Sequence, residues 1–277
     1  MPKFTIFTCT YQNANFISRC YNSILKQSVH DWEWLIIDDG STDLTEKIIN
    51  SISDNRIQYY RLQTNLGRGR ARNYGCKLIK SPWVVILDMD DLMTQDRLNY
   101  ADMASVLGYD YMISGVGLIT NDLICDSIRP AIYTNFINVF THATLCCKSE
   151  LYKSIGYFDS RYSEDQLMIV TLSLEYKGYV VNEPLYLYLE SANQNIDGAI
   201  VANIHAFSNL FKLVFKYKKI KFYIYILSFL IKFIFLKIFK FFKYDYQYFI
   251  KNRVKSNINI AKIDYLNFYL KSFKKTC

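Results

Sequence analysis

The sequence predicts an α/β fold in which a mixed, mostly parallel sheet carries helices on both faces. Two observations lead to this prediction. In the first ninety residues, strand-like apolar runs alternate with helical patterns, which is typical of parallel strands joined by crossover helices. The 277 residues are also 51% hydrophobic, enough to bury one substantial core, so one domain with an appendage is expected.

Four strands are predicted in the N-terminal third of the chain. Each is a short apolar run that ends in a polar segment. Ligands bind to sheets of this kind beyond the carboxyl ends of the strands, so the polar segments are the first place to look for a site. The strands are KFTIFTC (3–9), DWEWLIIDD (31–39), RIQYYRL (56–62) and WVVIL (83–87).

A helix is predicted after each of the first three strands. The first covers residues 14–27 and the third covers residues 68–79. The second follows the segment STD at 41–43, any residue of which can cap it. The expected apolar stripes are Phe16, Cys20 and Ile24 on the first helix and Leu44, Ile48 and Ile52 on the second.

The polar segments that follow the four strands are predicted to meet at one edge of the sheet. Any one of them could be a solvated turn, because Asp, Gly and Ser are ordinary turn residues. Four of them on the same edge are harder to explain as turns. They are TYQN (10–13), DDGSTD (38–43), NLGRGRARN (65–73) and DMDD (88–91).

The chemistry of these segments indicates a nucleoside diphosphate. Asp88, Asp90 and Asp91 would repel one another unless a cation neutralised them. Carboxylate oxygens without a nearby Cys or His cluster suit Mg²⁺ or Mn²⁺. Arginines at 68, 70 and 72 supply charge complementary to a diphosphate. Asp38 and Asp39 would accept hydrogen bonds from a base or a ribose, and Tyr11 could stack on a base.

The chain resembles the inverting glycosyltransferases of family two, which have the nucleotide-sugar-binding GT-A fold. The resemblance covers roughly residues 1–190, and the order and spacing of its motifs are specific. It implies transfer of one sugar from a nucleotide sugar, a UDP-sugar, to a cell-surface glycan or a lipid-linked acceptor. The motifs are TYQN, IIDDGSTD, NLGRGRARNYG, LDMDD, SIGYFD (154–159) and SEDQLMIVTLSLEYKG (163–178).

The resemblance also implies roles for single residues. Asp90 would bind the Mn²⁺ or Mg²⁺ that bridges the diphosphate, and Asp91 would serve the donor sugar or make an adjacent hydrogen bond. The nucleotide would be bound by five residues: Thr10 and Tyr11 flanking the base, Asp39 on the uracil N–H, Asp88 near the ribose, and Arg72.

A further helix is predicted over residues 163–178, with Ser163 as its cap and Glu164 and Asp165 in its first turn. Acids are favoured at a helix N-terminus, so the pair could be purely structural. In the family that the chain resembles, the pair supplies the general base, which implies Asp165 as the base with Glu164 as the fallback. Because a helix N-terminus lowers an Asp pKa, the base is expected to be ionised at neutral pH.

Some features depart from the resemblance or leave alternatives open. Many family members place an Arg or His before a Ser where this chain has LESAN (189–193), so the third metal ligand is undetermined. The absence of a QxxRW-like segment argues against a processive synthase.

His142 could bind a metal or the acceptor, or be structural. The alternative functions are a sugar-nucleotide pyrophosphorylase and a non-catalytic, membrane-recruited nucleotide-binding module.

Charge separates a tail from the body. Residues 1–211 have a net charge of −6 and residues 212–277 a net charge of +14. The predicted organisation is a GT-A domain over 1–205, with a nucleotide-binding half over 1–100 and an acceptor half over 101–205, followed by a helical basic and aromatic tail over 206–277. FYIYILSFLI (222–231) is too short to span a bilayer. A helix rich in Phe, Ile and Lys suits an anionic membrane surface, or packs on the body. Nucleic acid is not an expected partner.

The cysteines bear on localisation. There are seven, an odd number, and they show neither CxxC pairs nor metal-ligand spacing, which favours reduced thiols in the cytoplasm. No basic leader with a long apolar run begins the sequence, so its first residues are read as a strand. The expected location is the cytoplasm, peripherally associated with the inner face of the plasma membrane.

Overall fold

The computed structural model describes residues 1–132, 140–160, 162–190, 196–214, 216–217, 220–241 and 260–274. Within these residues one sheet contains nine strands. They are β1 (Phe4–Thr10), β2 (Trp32–Asp38), β3 (Ile57–Arg61), β4 (Trp83–Ile86), β5 (Leu92–Met93), β6 (Tyr111–Ile119), β7 (Cys125–Arg129), β8 (Cys146–Lys148) and β9 (Gly178–Leu189).

The sheet is parallel in its N-terminal half and mixed beyond it. The strand order is β3-β2-β1-β4-β8-β6-β9-β5, and β7 pairs with residues 116–119 of β6, beyond the two residues of β6 that pair with β8. The pairs among β1, β2, β3 and β4 are all parallel, as the four sequence runs predicted. β8 enters antiparallel between β4 and β6. The carboxyl ends of β1, β2 and β4 therefore lie side by side.

Helices cover both faces of the sheet, which confirms the predicted layering. α1, α2 and α4 pack on one face around Ile24, Ile49 and Leu98. α3, α5 and α6 pack on the other face around Cys76, Tyr152 and others. The helices are α1 (Ile17–Leu25), α2 (Thr45–Asn50), α3 (Arg68–Cys76), α4 (Arg97–Val106), α5 (Ser149–Ile155), α6 (Gln166–Glu175), α7 (Ile196–Phe211), α8 (Ile220–Phe241) and α9 (Ile260–Lys274).

Two helix starts differ from the sequence prediction. α2 begins at Thr45 and buries Ile49 most deeply; Ile48 and Ile52 of the predicted stripe pack against the same core, while Leu44 is 61% exposed. α6 begins only after Asp165, and Ser163 does not cap it. Ser163 has a positive φ and donates its hydroxyl to the carbonyl of Ala202. In both cases contacts with distant residues hold the loop that precedes the helix, and the local amino-acid pattern cannot predict such contacts.

The C-terminal helices extend the core in two directions. α7 and α8 pack against α6 through a cluster that includes Val170, Leu210 and Phe222. α9 instead packs against β5, β6 and β9, where Leu266 and others meet Leu187. The Asn267 side chain accepts from the backbone N–H of Cys125 at 2.7 Å and donates to its carbonyl at 3.0 Å. α9 therefore completes the sheet edge rather than trailing from the body.

Among the described residues, no helix is both long enough and apolar enough to cross a membrane.

Candidate functional site

The loops that follow β1 and β2 are held together by Gln12. Its backbone N–H donates to the Ser41 hydroxyl at 2.9 Å, and its side-chain carbonyl accepts from the backbone N–H groups of Thr42 and Asp43 at 3.2 and 3.0 Å. Gln12 has a φ of 58°, a conformation that non-glycine residues rarely adopt. TYQN and DDGSTD therefore form one surface, on which Tyr11 is 45% exposed.

Asp39 joins this surface to the third loop. Its two carboxylate oxygens accept from the backbone N–H groups of Leu66 and Gly67 at 2.7 and 2.9 Å. Burial raises the Asp39 pKa, while these two hydrogen bonds act in the opposite direction. Asp38 is fully buried, and its oxygens are used by the Ser41 N–H and the Tyr59 hydroxyl. Of the two acids, Asp39 is the one that lies at the edge of the site.

The DMDD segment contains three carboxylates in different environments. Asp91 is buried, and its oxygens accept from the Tyr186 hydroxyl at 2.6 Å and the Leu189 N–H at 2.7 Å. Burial raises the Asp91 pKa well above its usual range. Of the two predicted roles of Asp91, the adjacent hydrogen bond is the one present in this geometry. Asp88 and Asp90 are only partly buried.

Asp90 is partly buried close to another acid, Asp88. Burial, and after it the charge of Asp88, raises the Asp90 pKa, so a cation nearby would relieve both effects. No described side chain donates a hydrogen bond to its carboxylate. Within the described ranges no three His, Cys, Asp or Glu residues are grouped to hold a metal ion. Asp90 with Asp88 fits a cation whose other ligands come from phosphate and water.

Arg72 connects the two halves of the domain. Its guanidinium is buried and donates to Glu164 at 2.6 Å and to Asp88 at 3.2 Å. Arg72 therefore holds Asp88, which lies two residues before Asp90, and Glu164, which lies directly before Asp165. A direct contact between Arg72 and a nucleotide stays a prediction.

The motif SIGYFD packs against α3, the helix that carries Arg72, and the two backbones approach each other closely. A Cβ on Gly69 would lie 2.2 Å from the carbonyl oxygen of Phe158, so only glycine fits there. One turn further along α3, the Asn73 side chain donates to the Tyr157 carbonyl at 3.0 Å and accepts from the Tyr157 N–H at 2.9 Å. Two motifs that are far apart in sequence are thus fixed against each other.

Asp165 immediately precedes α6 and is held there without a side-chain cap hydrogen bond. Burial, and after it the charge of Glu164, raises its pKa to about 6. The expectation of a lowered pKa is wrong, because burial and a neighbouring acid outweigh the helix dipole. A pKa near working pH suits a general base. Glu164, the fallback, is buried and committed to Arg72.

Two residues outside the predicted set support the site. Tyr186, which is fully buried, accepts from the Asp88 N–H at 3.2 Å and donates to Asp91. The sequence signal that could have found it is the alternation of Leu and Tyr in EPLYLYLE (183–190), which is typical of a strand with Tyr186 and Tyr188 on one face. His142 is buried with its Nε2 atom 2.6 Å from the Tyr157 hydroxyl, and burial lowers its pKa well below the usual range. This environment favours the structural interpretation of His142.

Removing the Tyr186 hydroxyl should destabilise the protein. In Tyr186→Phe the buried Asp91 carboxylate loses its side-chain donor, and we expect a cost of about 1–3 kcal/mol in urea unfolding. Tyr188→Phe is the matched control, since Tyr188 lies on the same face of β9 and no hydrogen bond of its hydroxyl is described. Equal effects of the two substitutions would contradict the role assigned to Tyr186.

The segment 189–193 is described only in part. Glu190 lies 3.6 Å from Arg129 as an ion pair. Residues 191–193, which bear on the third metal ligand, lie outside the described residues, as do residues 215, 218–219, 242–259 and 275–277 of the predicted tail.

Part of the chain is similar in sequence to known glycosyltransferases. Residues 5–101 match the sequence profile "Glycosyl transferase family 2". The succinoglycan biosynthesis protein ExoO of Rhizobium meliloti is 30% identical over 123 residues, which are 44% of this chain and 35% of that protein. The chain spans well under half of the length of this and several other curated relatives that it matches.

Two solved structures have the same fold. The S. aureus protein TarS, in complex with UDP-GlcNAc, superposes with a TM-score of 0.62 at 19% identity, covering 86% of this chain and 73% of that one. The mannosyltransferase PcManGT from Pyrobaculum calidifontis, in complex with GDP-Man and Mn²⁺, also gives 0.62, at 18% identity, covering 82% of this chain and 68% of that one.

Proposed function

Since residues 5–101 belong to glycosyl transferase family 2 and the chain has the GT-A fold, we propose that the protein is an inverting glycosyltransferase. It transfers one sugar from a nucleotide sugar to a cell-surface glycan or a lipid-linked acceptor. The observation that carries this proposal is the convergence of Tyr11, Asp39, Asp88 and Asp90 on one sheet edge, with Asp165 joined to it through Arg72 and Glu164.

The donor is bound at the ends of β1, β2 and β4. Tyr11 stacks on the base. The Asp39 carboxylate accepts a hydrogen bond from an N–H of the base, because each of its oxygens has a second lone pair besides the one used by Leu66 or Gly67. Uracil and guanine both carry such an N–H, and of the two we propose uracil, and hence a UDP-sugar, because the motif resemblance implies it. Asp90 with Asp88 would hold Mn²⁺ or Mg²⁺, which would supply positive charge to stabilise the leaving diphosphate. The structural relatives are complexes with UDP-GlcNAc and with GDP-Man and Mn²⁺, so both donor classes are tested.

Asp165 takes the proton from the acceptor hydroxyl as that oxygen attacks the anomeric carbon from the side opposite the diphosphate. One displacement of this kind inverts the configuration. The separate environments of the two carboxylates support these roles. Asp90 lies in the DMDD turn beside Asp88, whereas Asp165 lies across Arg72 at the start of α6.

Asp90→Asn should remove metal-dependent donor turnover. The substitution keeps the shape of the side chain but removes the charge that holds the cation. Because a metal ion contributes several kcal/mol to stabilising a charged leaving group, we expect sugar release with Mn²⁺ to fall at least about 100-fold. The measurement is hydrolysis of UDP-sugars and GDP-sugars, with a thermal-shift assay as the binding readout.

The control for this experiment is Asp122→Asn, an exposed acid outside the site. It should release sugar at the wild-type rate. A larger rise in melting temperature with GDP-sugars than with UDP-sugars would overturn the donor class. Equal sugar release by the Asp90 variant and the wild type would reject the metal assignment.

The same assay separates the alternative functions. A pyrophosphorylase would form UTP from a UDP-sugar and pyrophosphate, and it would need a glycine-rich first loop with Arg and Lys, where this chain has TYQN. A non-catalytic binding module would gain thermal stability from the nucleotide sugar without releasing sugar, with or without acceptor. The proposed location of the enzyme is the inner face of the plasma membrane, as a peripheral protein.

A further inference from the structure

One face of α8 is apolar and exposed from Ile224 to Phe241. The face consists of residues spaced alternately three and four apart, which places them in one stripe of a helix. The opposite side of α8 is buried against the body of the protein through Phe222, Tyr225 and Leu236. We call the exposed stripe the α8 face. Its residues are Ile224, Leu227, Ile231, Ile234, Ile238 and Phe241.

The exposure of this face is large for side chains of this type. Ile231 is 60% exposed and Phe241 is 80% exposed. Single exposed apolar residues are common on proteins and need no explanation. A contiguous row over a 22-residue helix, which is about 33 Å long, marks a surface that binds a partner.

Lysines border the α8 face on both sides. At 3.6 residues per turn, Lys232 lies on one flank of the stripe and Lys237 on the other; both are exposed. Residues 198–241 contain eight lysines and neither Asp nor Glu. Apolar side chains in the middle with cationic groups on both edges match a bilayer interface, where acyl chains lie below anionic headgroups.

A second copy of the chain fits this face less well. The three-four spacing would suit a coiled coil, but pairing positions at the edges of such interfaces normally carry opposite charges. Two copies of α8 would bring lysine-bordered faces together with no acid on either helix. Charge complementarity therefore favours an anionic lipid surface.

α8 is also joined by a hydrogen bond to the start of α6, where Asp165 lies. The Tyr225 hydroxyl, on the buried side of α8, donates to the Gln166 side chain at 2.8 Å. Gln166 is the first residue of α6 and follows Asp165 directly. α7 holds the same loop from the other side, where Asn209 donates to the Ser163 carbonyl at 3.2 Å. A bilayer on the α8 face would thus lie one helix away from Asp165.

From these observations we propose that the α8 face is a docking surface for an anionic bilayer, on which α8 lies parallel to the membrane plane. This orientation puts the Asp165 loop next to the headgroups. If Asp165 is the base, the acceptor class that suits this position is the lipid-linked one. Only this last step rests on the proposed function, and docking is tested without it.

The test is cosedimentation of the full chain with vesicles of phosphatidylcholine containing phosphatidylglycerol. Ile231→Glu combined with Ile234→Glu should lower the binding constant by more than about tenfold per substitution, because each removes apolar burial and adds repulsion. Lys232→Gln with Lys237→Gln should lower it by about fivefold per lysine. The wild type should bind vesicles of pure phosphatidylcholine more weakly than anionic ones.

Val106→Glu is the matched control, since Val106 is 77% exposed on α4, which covers the opposite face of the sheet. It should bind vesicles as the wild type does. Circular dichroism melting of each variant verifies folding. Unchanged vesicle binding by the Ile231 and Ile234 double variant would overturn the proposal. So would a wild-type dimer in light scattering that this variant converts to a monomer, with no vesicle binding by either.

Failure of this proposal and failure of the proposed function give different results. The α8 double variant should hydrolyse nucleotide sugars without vesicles at the wild-type rate, because Ile231 and Ile234 lie on the exposed side of α8, whereas the contact with Gln166 is made by Tyr225 on its buried side. Asp90→Asn should bind vesicles at the wild-type level while losing hydrolysis.

Discussion

Replacing Arg72 with methionine is expected to destabilise the protein by about 3–5 kcal/mol, because two carboxylates near a buried position lose their shared cation. Glu164 is buried with Arg72, and Asp88 is partly buried beside it. Methionine preserves most of the side-chain volume, so packing is not the main loss. Urea unfolding followed by circular dichroism measures the effect.

A second substitution tests whether unpaired charge is the cause. In the double variant Arg72→Met with Glu164→Gln, one of the stranded carboxylates is neutral, so the loss should be smaller than the sum of the two single losses. Additive losses would contradict the coupling. Arg70→Met is the control for stability, because Arg70 and Asp159 form an exposed pair, and its melting temperature should stay at the wild-type value.

Asp165→Asn should lower turnover by about 10²- to 10⁴-fold, the usual contribution of general-base catalysis. Donor binding should persist, since Asp165 lies apart from the DMDD turn. Sugar transfer is measured with saturating donor, and Asp122→Asn is the control. If Glu164→Gln lost turnover in a folded protein while Asp165→Asn kept it, the base would be Glu164.

The pH dependence follows from the raised pKa of Asp165. A base must be unprotonated, so wild-type turnover should rise with pH through about 6 and then level off. Stability changes in the opposite direction. The native state holds this proton up to about pH 6, whereas the unfolded chain releases it near the ordinary Asp value, so native stability falls as pH rises through that window. Asp165→Asn should therefore be no less stable than the wild type at neutral pH.

The strands of the N-terminal half of the fold could be predicted from the sequence for a physical reason. Its four strands are local apolar runs that end in polar segments, and parallel pairing brings those ends together whatever the details of register. β1, β2, β3 and β4 accordingly appear within two residues of their predicted bounds. The short strand β5 and its pairing with β9 were not predicted, since two residues carry no periodicity.

The candidate site was predicted in its residues but not in its energetics. Motif order identified Asp39, Arg72 and Asp90, and the resemblance supplied their roles. The raised pKa of Asp165 depends on how deeply neighbouring elements bury the start of α6, which spacing along the chain does not encode. Likewise, the local sequence around DMDD gives no sign that Tyr186, almost a hundred residues away, fixes Asp91.

The position of α9 has a consequence for biosynthesis. The Tyr269 hydroxyl donates to the Met93 carbonyl across 176 residues of sequence, and Leu266 and Leu270 cover the sheet edge that Leu92 and Leu187 form. At elongation rates of about 5–20 residues per second, roughly 10–35 s pass between the synthesis of Met93 and that of its partner. Until α9 is made, the nascent chain lacks the helix that covers Leu92 and, once β9 has been made, Leu187, so these apolar side chains stay uncovered during synthesis.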